Sequence, residues 1–370
     1  MNIIIGTGDL SKLTVEYFQK FGYSIDLVVN NRTPEKAGMD ILFLEDLNIE
    51  NYRNENFIIA KTGMFLENTI VFLKKHGISK VVIVNEELFF YEPNSLTDLM
   101  EFMIEYDLTK PFLSYLETNI VDHCNLNCNG CSHFSNVAPK QYADELRLFQ
   151  DLDSLTRIFN IYCLRLLGGE PLLHPNIDSL VYGIRTRLPN SRLIIVTNGL
   201  SIVKMNSTIL RAFADNNIIL SITLYPKTQI VITEITNILQ KYNIHYYIND
   251  KIDNSTTVSN FRKRLSLNKD YPCSTKNCSG KFCRFLREGK ISKCHYPLLI
   301  SILNNTFNTH YSVLENDYIL IDEISNGWET IFKLIEPIPF CSYCSPEQTN
   351  YFWSNQSDKC PSLSDYILVK

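Results

Sequence analysis

Three cysteines, Cys124, Cys128 and Cys131, are spaced CxxxCxxC in the stretch Asp122-His123-Cys124-Asn125-Leu126-Asn127-Cys128-Asn129-Gly130-Cys131. Thiolates are soft, anionic ligands suited to iron–sulfur clusters or zinc, and three on one short loop leave a tetrahedral metal position without a protein ligand. A substrate or cofactor binds at such a position, and a structural zinc site is the competing reading. Downstream, the apolar run Tyr162 to Leu167 leads into Gly168-Gly169-Glu170-Pro171, and the run Arg192 to Val196 ends in Thr197-Asn198-Gly199. A second cysteine group follows: Cys273, Cys278, Cys283 and Cys294, then Cys341-Ser342-Tyr343-Cys344, then Cys360.

From residue 112 to 250 this order of parts resembles the radical S-adenosylmethionine (SAM) superfamily. The resemblance implies a 4Fe-4S cluster on Cys124, Cys128 and Cys131, with SAM at the cluster's open iron. It also implies that Gly168, Gly169, Glu170 and Pro171 meet the SAM amino group, while Asn198 reaches the ribose. The implied chemistry is one-electron cleavage of SAM to methionine and a 5'-deoxyadenosyl radical, which takes hydrogen from an unactivated C–H bond. A reductant such as flavodoxin or ferredoxin would supply the electron. One departure is visible: the residue before the third cysteine is usually aromatic and packs near the adenine, but here it is Gly130. Adenine stacking then falls to another residue, with Phe134 the candidate.

The tail has its own pattern. Cys283 to Cys294 reads as a β-hairpin whose turn at Gly289 brings two thiolates together. This resembles the twitch and SPASM extensions of radical SAM enzymes, which hold auxiliary clusters. A cysteine shortly after Cys344 is missing, and the seven tail cysteines fall short of four thiolates apiece for two clusters. The expectation is one auxiliary 4Fe-4S cluster held by four of Cys278, Cys283, Cys294, Cys341 and Cys344, against a structural zinc ribbon as the alternative.

Other residues have plainer readings. Cys163 sits inside an apolar strand and reads as core. His123 and His133 flank the cysteine loop, as substrate contacts or loop caps, and His174 closes the turn after Gly-Gly-Glu-Pro.

The elements that must position these residues follow from apolar periodicity. The expected fold is α/β: an N-terminal Rossmann-like βαβ domain with its linker (1–110), a central partial (β/α)6 radical SAM barrel (111–250) and a cysteine-rich twitch/SPASM-like extension (251–370). In the first domain, strands are expected at Asn2–Ile5, Ile25–Asn30, Ile41–Leu44, Phe57–Ala60 and Val81–Val84, with helices at Leu13–Phe21, Phe65–Lys75 and Leu96–Tyr106. The turn Gly6-Thr7-Gly8-Asp9-Leu10-Ser11 is an imperfect dinucleotide fingerprint: Ser11 replaces the third glycine, and Asn30 and Asn31 replace the ribose-binding acid. Nucleotide binding and plain packing or docking both stay open. In the core, helices Asp151–Asn160, Ile177–Leu188, Ser207–Asp215 and Ile230–Tyr242 alternate with strands, the first at Tyr115–Val121.

Composition excludes several classes. Hydrophobic residues make up 45% and charged residues 20%, with a formal net charge of -5, which gives no basic field for nucleic acid. No apolar run reaches the roughly 20 residues a membrane span needs, and the first strand starts at Asn2 with no basic leader, so a cytoplasmic protein is expected. Eleven cysteines, an odd and clustered set, fit thiolate ligation in a reducing compartment better than disulfides. The expected substrate is a small molecule, polar or sugar-linked. The alternatives are maturation of a ribosomal peptide, which commonly comes with a small winged-helix domain, and a non-catalytic iron–sulfur or zinc protein.

Overall fold

The computed structural model describes residues 1–30, 42–249, 258–273, 278, 283–352 and 360–368. The chain divides into two compact units, Met1–Ser114 and Tyr115–Lys370.

The first unit is a five-stranded sheet in the order β2-β1-β3-β4-β5. Its elements are β1 (Asn2–Ile5), α1 (Asp9–Lys20), β2 (Leu27–Val29), β3 (Asn56–Ile59), α2 (Gly63–Lys75), β4 (Lys80–Val84), α3 (Leu96–Met100), β5 (Met103–Asp107) and the short β6 (Phe112–Leu113). The run Ile3-Ile4-Ile5 is wholly buried, as an interior parallel strand requires, and β1 pairs in parallel with β2 and β3. The turn after β1 has room for no side chain at its first glycine: Gly6 has φ +146°, and a Cβ there would lie 2.5 Å from the Ala60 carbonyl oxygen. Ser11, buried on α1, donates its hydroxyl to the Gly6 carbonyl at 2.8 Å. The serine therefore closes this turn with a hydrogen bond where the fingerprint has close glycine packing. Leu10 and Phe18 of α1 pack with Ile4, Ile58, Val84 and Leu99 to make this unit's core.

Two expectations fail here. Leu96–Tyr106 is not one helix, because α3 stops at Met100 and Met103–Asp107 pairs antiparallel with β4. The Tyr106 ring is buried at that pairing, and a helix would break the ladder. The expected strand Ile41–Leu44 begins at a residue outside those described, as does Asn31. Within the described part, Phe43 bridges to Asn30 and Leu44 opens a 3-10 turn, Leu44–Asp46.

The second unit is an eight-stranded sheet in the order β12-β11-β10-β9-β7-β14-β15-β16. In chain order its elements are β7 (Leu116–Val121), α4 (Glu145–Ile158), β8 (Asn160–Ile161), β9 (Cys163–Gly168), α5 (Ile177–Arg187), β10 (Arg192–Thr197), α6 (Ser207–Asp215), β11 (Ile218–Thr223), α7 (Pro226–Lys241), β12 (Tyr246–Asn249), β13 (Val258–Leu265), β14 (Phe285–Arg287), β15 (Lys290–Ser292), α8 (Tyr296–Phe307), β16 (Ile319–Leu320), α9 (Gly327–Ile335) and β17 (Cys344–Phe352). From β7 to β12 every neighbouring pair is parallel, and each crossover carries a helix. Helix α4 starts six residues ahead of expectation because Asp144 caps it, accepting from the Arg147 amide at 3.1 Å. Helix α7 starts four residues early because Pro226 stands in its first turn, where a missing N–H costs nothing.

The six parallel strands of this sheet match the expected count, and the sixth comes from an unexpected place in the chain. Five βα strands run in order from β7 to β12, and the next parallel strand, β14, adds to the opposite edge beside β7. It arrives as the first arm of the Cys283–Cys294 hairpin, turned by Glu288 and Gly289 at φ +50° and +77°. Gly289 is further fixed by donating its amide to Asp151 Oδ2 at 2.8 Å. Behind this hairpin, Phe285, Leu299, Leu303, Phe340 and Tyr343 form an apolar core on which Cys294, Cys341 and Cys344 pack.

Candidate functional site

Strand β7 is buried along its whole length and delivers the cysteine loop at its C-terminal end. The loop root is pinned: Asp122 accepts two hydrogen bonds from Arg287 of β14, both 2.8 Å, and donates its amide to the Gln141 carbonyl. Burial of this bidentate pair raises its strength and its directionality together. Further along, Cys124 Sγ accepts from the Leu126 amide at 3.4 Å, Gly130 takes φ +61°, and the Phe134 amide closes onto the Cys131 carbonyl at 2.9 Å. Gly130 therefore occupies a left-handed position that an aromatic residue would adopt only under strain.

Burial pushes the Cys124 thiol well above its ordinary value, and Glu170, Cys131 and Cys128 push it the same way. The three sulfurs thus lie within one another's electrostatic reach. Among the described residues, no three His, Cys, Asp or Glu side chains are drawn into a metal-holding cage.

The Gly-Gly-Glu-Pro segment lies directly against this loop. A Cβ on Gly168 would lie 1.9 Å from the Val121 carbonyl oxygen, and one on Gly169 would lie 2.0 Å from that of His123. The two glycines let backbone meet backbone, and the Gly169 and Glu170 amides bond those same carbonyls at 2.8 and 3.0 Å. Glu170 is fully buried. Its carboxylate accepts from Thr197 Oγ1 (2.6 Å), the Asn198 amide (2.8 Å) and the Leu172 amide (3.1 Å). Desolvation outweighs these bonds and carries its pKa to about 7. The side chain thus ties the end of β9 to the end of β10, and Pro171 opens the short 3-10 turn Pro171–Leu173. Asn198 extends the tie, since its side-chain amide donates to Asn125 Oδ1 at 2.7 Å and approaches Cys124 Sγ at 3.9 Å.

Tyr225, which the sequence reading did not single out, is half-buried within electrostatic reach of Cys128, Cys131, Cys124 and Glu170; desolvation and these groups hold its hydroxyl well above the ordinary range. Its signal was its position: it ends the β11 segment immediately before Pro226, at the same sheet edge as the other loops. Phe134, the candidate for adenine stacking, is placed elsewhere. It is 1% exposed in the tail core, stacked on Tyr296 at 5.9 Å and edge-on to Tyr366 at 5.8 Å. No face of that ring is left for a nucleobase. His133 contacts Asn119 Oδ1 at 3.0 Å and stacks on His295 at 4.4 Å. His123 and His174 both pack edge-on to Tyr142, and Cys163 is buried in β9.

The tail thiols form a second group. Cys294 feels Cys344, Cys341 and Cys278, while Cys341 feels Cys273 and Cys278. Burial raises both thiols, to about 11 for Cys341. Cys283 turns the other way: apart from Cys278, the charges around it are Glu117, Arg165 and Arg284. Cys278 thus lies within electrostatic reach of Cys294, Cys341 and Cys283 alike, and Cys344 within that of Cys294. Cys273 lies by Cys341 and donates to the Ile338 carbonyl at 2.9 Å, and Cys360 is exposed. Lys293 is 2% exposed within this group, its Nζ bonded to the Ile335 carbonyl, and Arg284 is wholly buried nearby. Buried cations among neutral thiols are costly, whereas a thiolate-held cluster with net negative charge balances them. The charges around these thiols suit an anionic centre, while among the described residues the thiols are not drawn into a cage.

Residues 117–245 match a family described as a 4Fe-4S single cluster domain. Relatives include GTP 3',8-cyclase of Bradyrhizobium diazoefficiens, 37% identical over 107 residues, which are 26% of this chain and 30% of that protein. Molybdenum cofactor biosynthesis protein 1 of Drosophila melanogaster is 30% identical over 106 residues, 28% of this chain and 19% of its own length. The chain thus spans under a third of the curated relatives it matches. Among solved structures, BtrN in complex with AdoMet and 2-DOIA aligns at TM-score 0.39 and 18% identity over 66% of this chain and 99% of that one. No helix among the described residues is long and apolar enough to cross a membrane.

Proposed function

We propose that this protein is an enzyme that cleaves SAM reductively and abstracts hydrogen from a small polar or sugar-linked substrate. The observation that carries the reading is the contact between a three-cysteine loop and a double-glycine segment whose backbones touch through Gly168 and Gly169. Cys124, Cys128 and Cys131 would hold the cluster, and Gly168, Gly169, Glu170, Pro171 and Asn198 would bound the SAM site. When bound, the cluster supplies the electron that splits the SAM sulfonium and yields the 5'-deoxyadenosyl radical. The chain supplies the rest. Arg287 and Asp122 fix the loop, the Leu126 amide tunes the Cys124 sulfur, and the buried walls keep water out.

Cys278, Cys294, Cys341 and Cys344 would hold one auxiliary cluster, with Lys293 offsetting its charge. Such a cluster can take the electron left on the substrate or hold the substrate itself. Flavodoxin or ferredoxin suits the role of reductant, and a cytoplasmic location suits the thiols. The mainly parallel sheet of the first unit favours a small substrate over a peptide, since it lacks winged-helix character among the described residues. The names of the relatives point to GTP as their substrate, and the segment shared with them is the core alone.

Protein purified without oxygen, reduced with dithionite and given SAM, should contain iron and form 5'-deoxyadenosine. Cys128→Ala should abolish that product while the tail cluster's spectrum persists. Zinc in place of iron, or unchanged turnover in Cys128→Ala, would overturn the reading in favour of a non-catalytic metal protein.

A further inference from the structure

The inner face of the barrel carries polar groups that the site above does not use. Glu117 and Asn119 lie two residues apart on β7 and so project from the same face, and Glu117 is in register with Arg165 of β9. Arg165 pairs with Ile194; two residues on, Val196 pairs with Ser221, which pairs with Tyr247 of β12. These residues share one face. The other face is apolar, with Leu164, Leu166, Ile195, Leu220 and Ile222 all inaccessible. In a flat sheet, β9 and β12 would stand roughly 14 Å apart at three strand spacings. Tyr247 nevertheless lies within the electrostatic reach of Arg165, so the two side chains lean toward each other over this face.

Two buried donors on that face have no acceptor: Asn119 Nδ2 and Arg165 Nε. Asn119 spends its oxygen on His133, and Arg165 donates through Nη1 to the Tyr115 hydroxyl, which in turn donates to Glu117. Glu117 forms an ion pair with the guanidinium at 3.9 Å, too long for a hydrogen bond, so it leaves the arginine's Nε donor unmet. About a fifth of the Arg165 side chain stays accessible. Unmet buried donors cost stability unless something accepts from them. Two such donors, one of them cationic, call for an anionic, oxygen-rich ligand.

We infer that this polar face is a substrate subsite for a polyhydroxylated anion. Arg165 takes the phosphate or carboxylate group, and Asn119 Nδ2 takes a hydroxyl or carbonyl oxygen one layer nearer the cysteine loop. Two residues of strand separate the layers by roughly 7 Å, about the span from an anionic end of a sugar acid or sugar phosphate to its distal hydroxyls. The inference rests on the radical SAM reading, because it places the ligand's uncharged end toward the SAM site.

Calorimetric titration of the anaerobic, SAM-loaded holoprotein with ribose 5-phosphate, glucuronate and ribose tests it, with 5'-deoxyadenosine formation measured on the same samples. One of the two anions should bind at least about tenfold tighter than ribose, and which one does so separates phosphate from carboxylate. Arg165→Met should remove that preference, Arg165→Lys should keep part of it, and Asn119→Asp should weaken binding. If Arg165→Met misfolds, the lysine and aspartate variants carry the comparison. Equal binding of all three probes to the wild type, or anion preference unchanged in the variants, overturns the subsite. Absence of 5'-deoxyadenosine from the wild type instead overturns the function on which it rests.

Discussion

Gly169→Ala tests the backbone contact beneath the proposed cofactor site. The new Cβ would stand 2.0 Å from the His123 carbonyl oxygen and 2.7 Å from the Cys124 amide nitrogen. Carbon and oxygen settle at roughly 3.4 Å, so the two chains must part by about 1.4 Å. Neither side yields cheaply. The Gly169 and Glu170 amides hold one side through 2.8 and 3.0 Å bonds, and the Asp122–Arg287 pair anchors the other. Misplacement by about 1 Å at a reacting centre costs on the order of 10²-fold in rate. The expected outcome is a folded protein that keeps its tail cluster iron and loses 5'-deoxyadenosine formation by roughly that factor, read by chromatography after dithionite reduction. Gly8→Ala is the control, because nothing lies within 4 Å of its added Cβ. A Gly169→Ala protein with full iron and a wild-type rate refutes the reasoning.

Four further outcomes are expected. Serine at Cys294 or Cys341 should roughly halve the iron bound, whereas Cys283→Ser should leave the iron count unchanged, read by metal analysis. Lys293→Met should move the tail cluster's midpoint potential negative by on the order of 100 mV in an EPR titration, because a cation is lost beside an anion that gains an electron. Glu170 holds its proton up to about 7 when folded, against the ordinary 4.5 of a free glutamate. The folded state thus binds the extra proton between those values: this stabilisation is complete below the unfolded pKa and lost as pH rises through the folded one. Denaturation of the apoprotein from pH 5 to 8 should show a decline of up to about 3 kcal/mol that Glu170→Gln flattens. Asp122→Ala should destabilise by about 3 kcal/mol in urea melts, since it leaves the largely buried Arg287 guanidinium with only the exposed Glu288 carboxylate, at 3.4 Å.

The sequence was most legible where local chemistry decides structure. Helix α6 begins and ends where its apolar period predicts, and the hairpin forms around Gly289 because only a left-handed turn joins such short arms. It misled where a distant partner decides. Met103–Asp107 carries a pattern compatible with a helix, and only the free edge of β4 makes it a strand. Phe134 follows the cysteine loop closely enough to suggest nucleobase contact, yet the tail core, more than 130 residues later, claims its ring. Cysteine spacing shows that thiols can meet but not which ones do. Cys283 and Cys278 are five residues apart, and the parallel pairing of β14 with β7 turns Cys283 toward Glu117 and Arg165. Lys293 was invisible in the same way, since a lysine beside a cysteine in sequence gives no sign of being buried.

The pairing of Phe285 with Glu117 also bears on biogenesis. During translation, β7 emerges 168 residues before the strand that covers its flank. Until then its hydrogen-bonding edge is raw, and exposed edges recruit stray strands. A ribosome-bound intermediate with only the five-stranded half-barrel is therefore the species most prone to aggregate, and chaperone capture or slow expression should help most at that stage. Truncation near residue 250 would make that vulnerable species permanent.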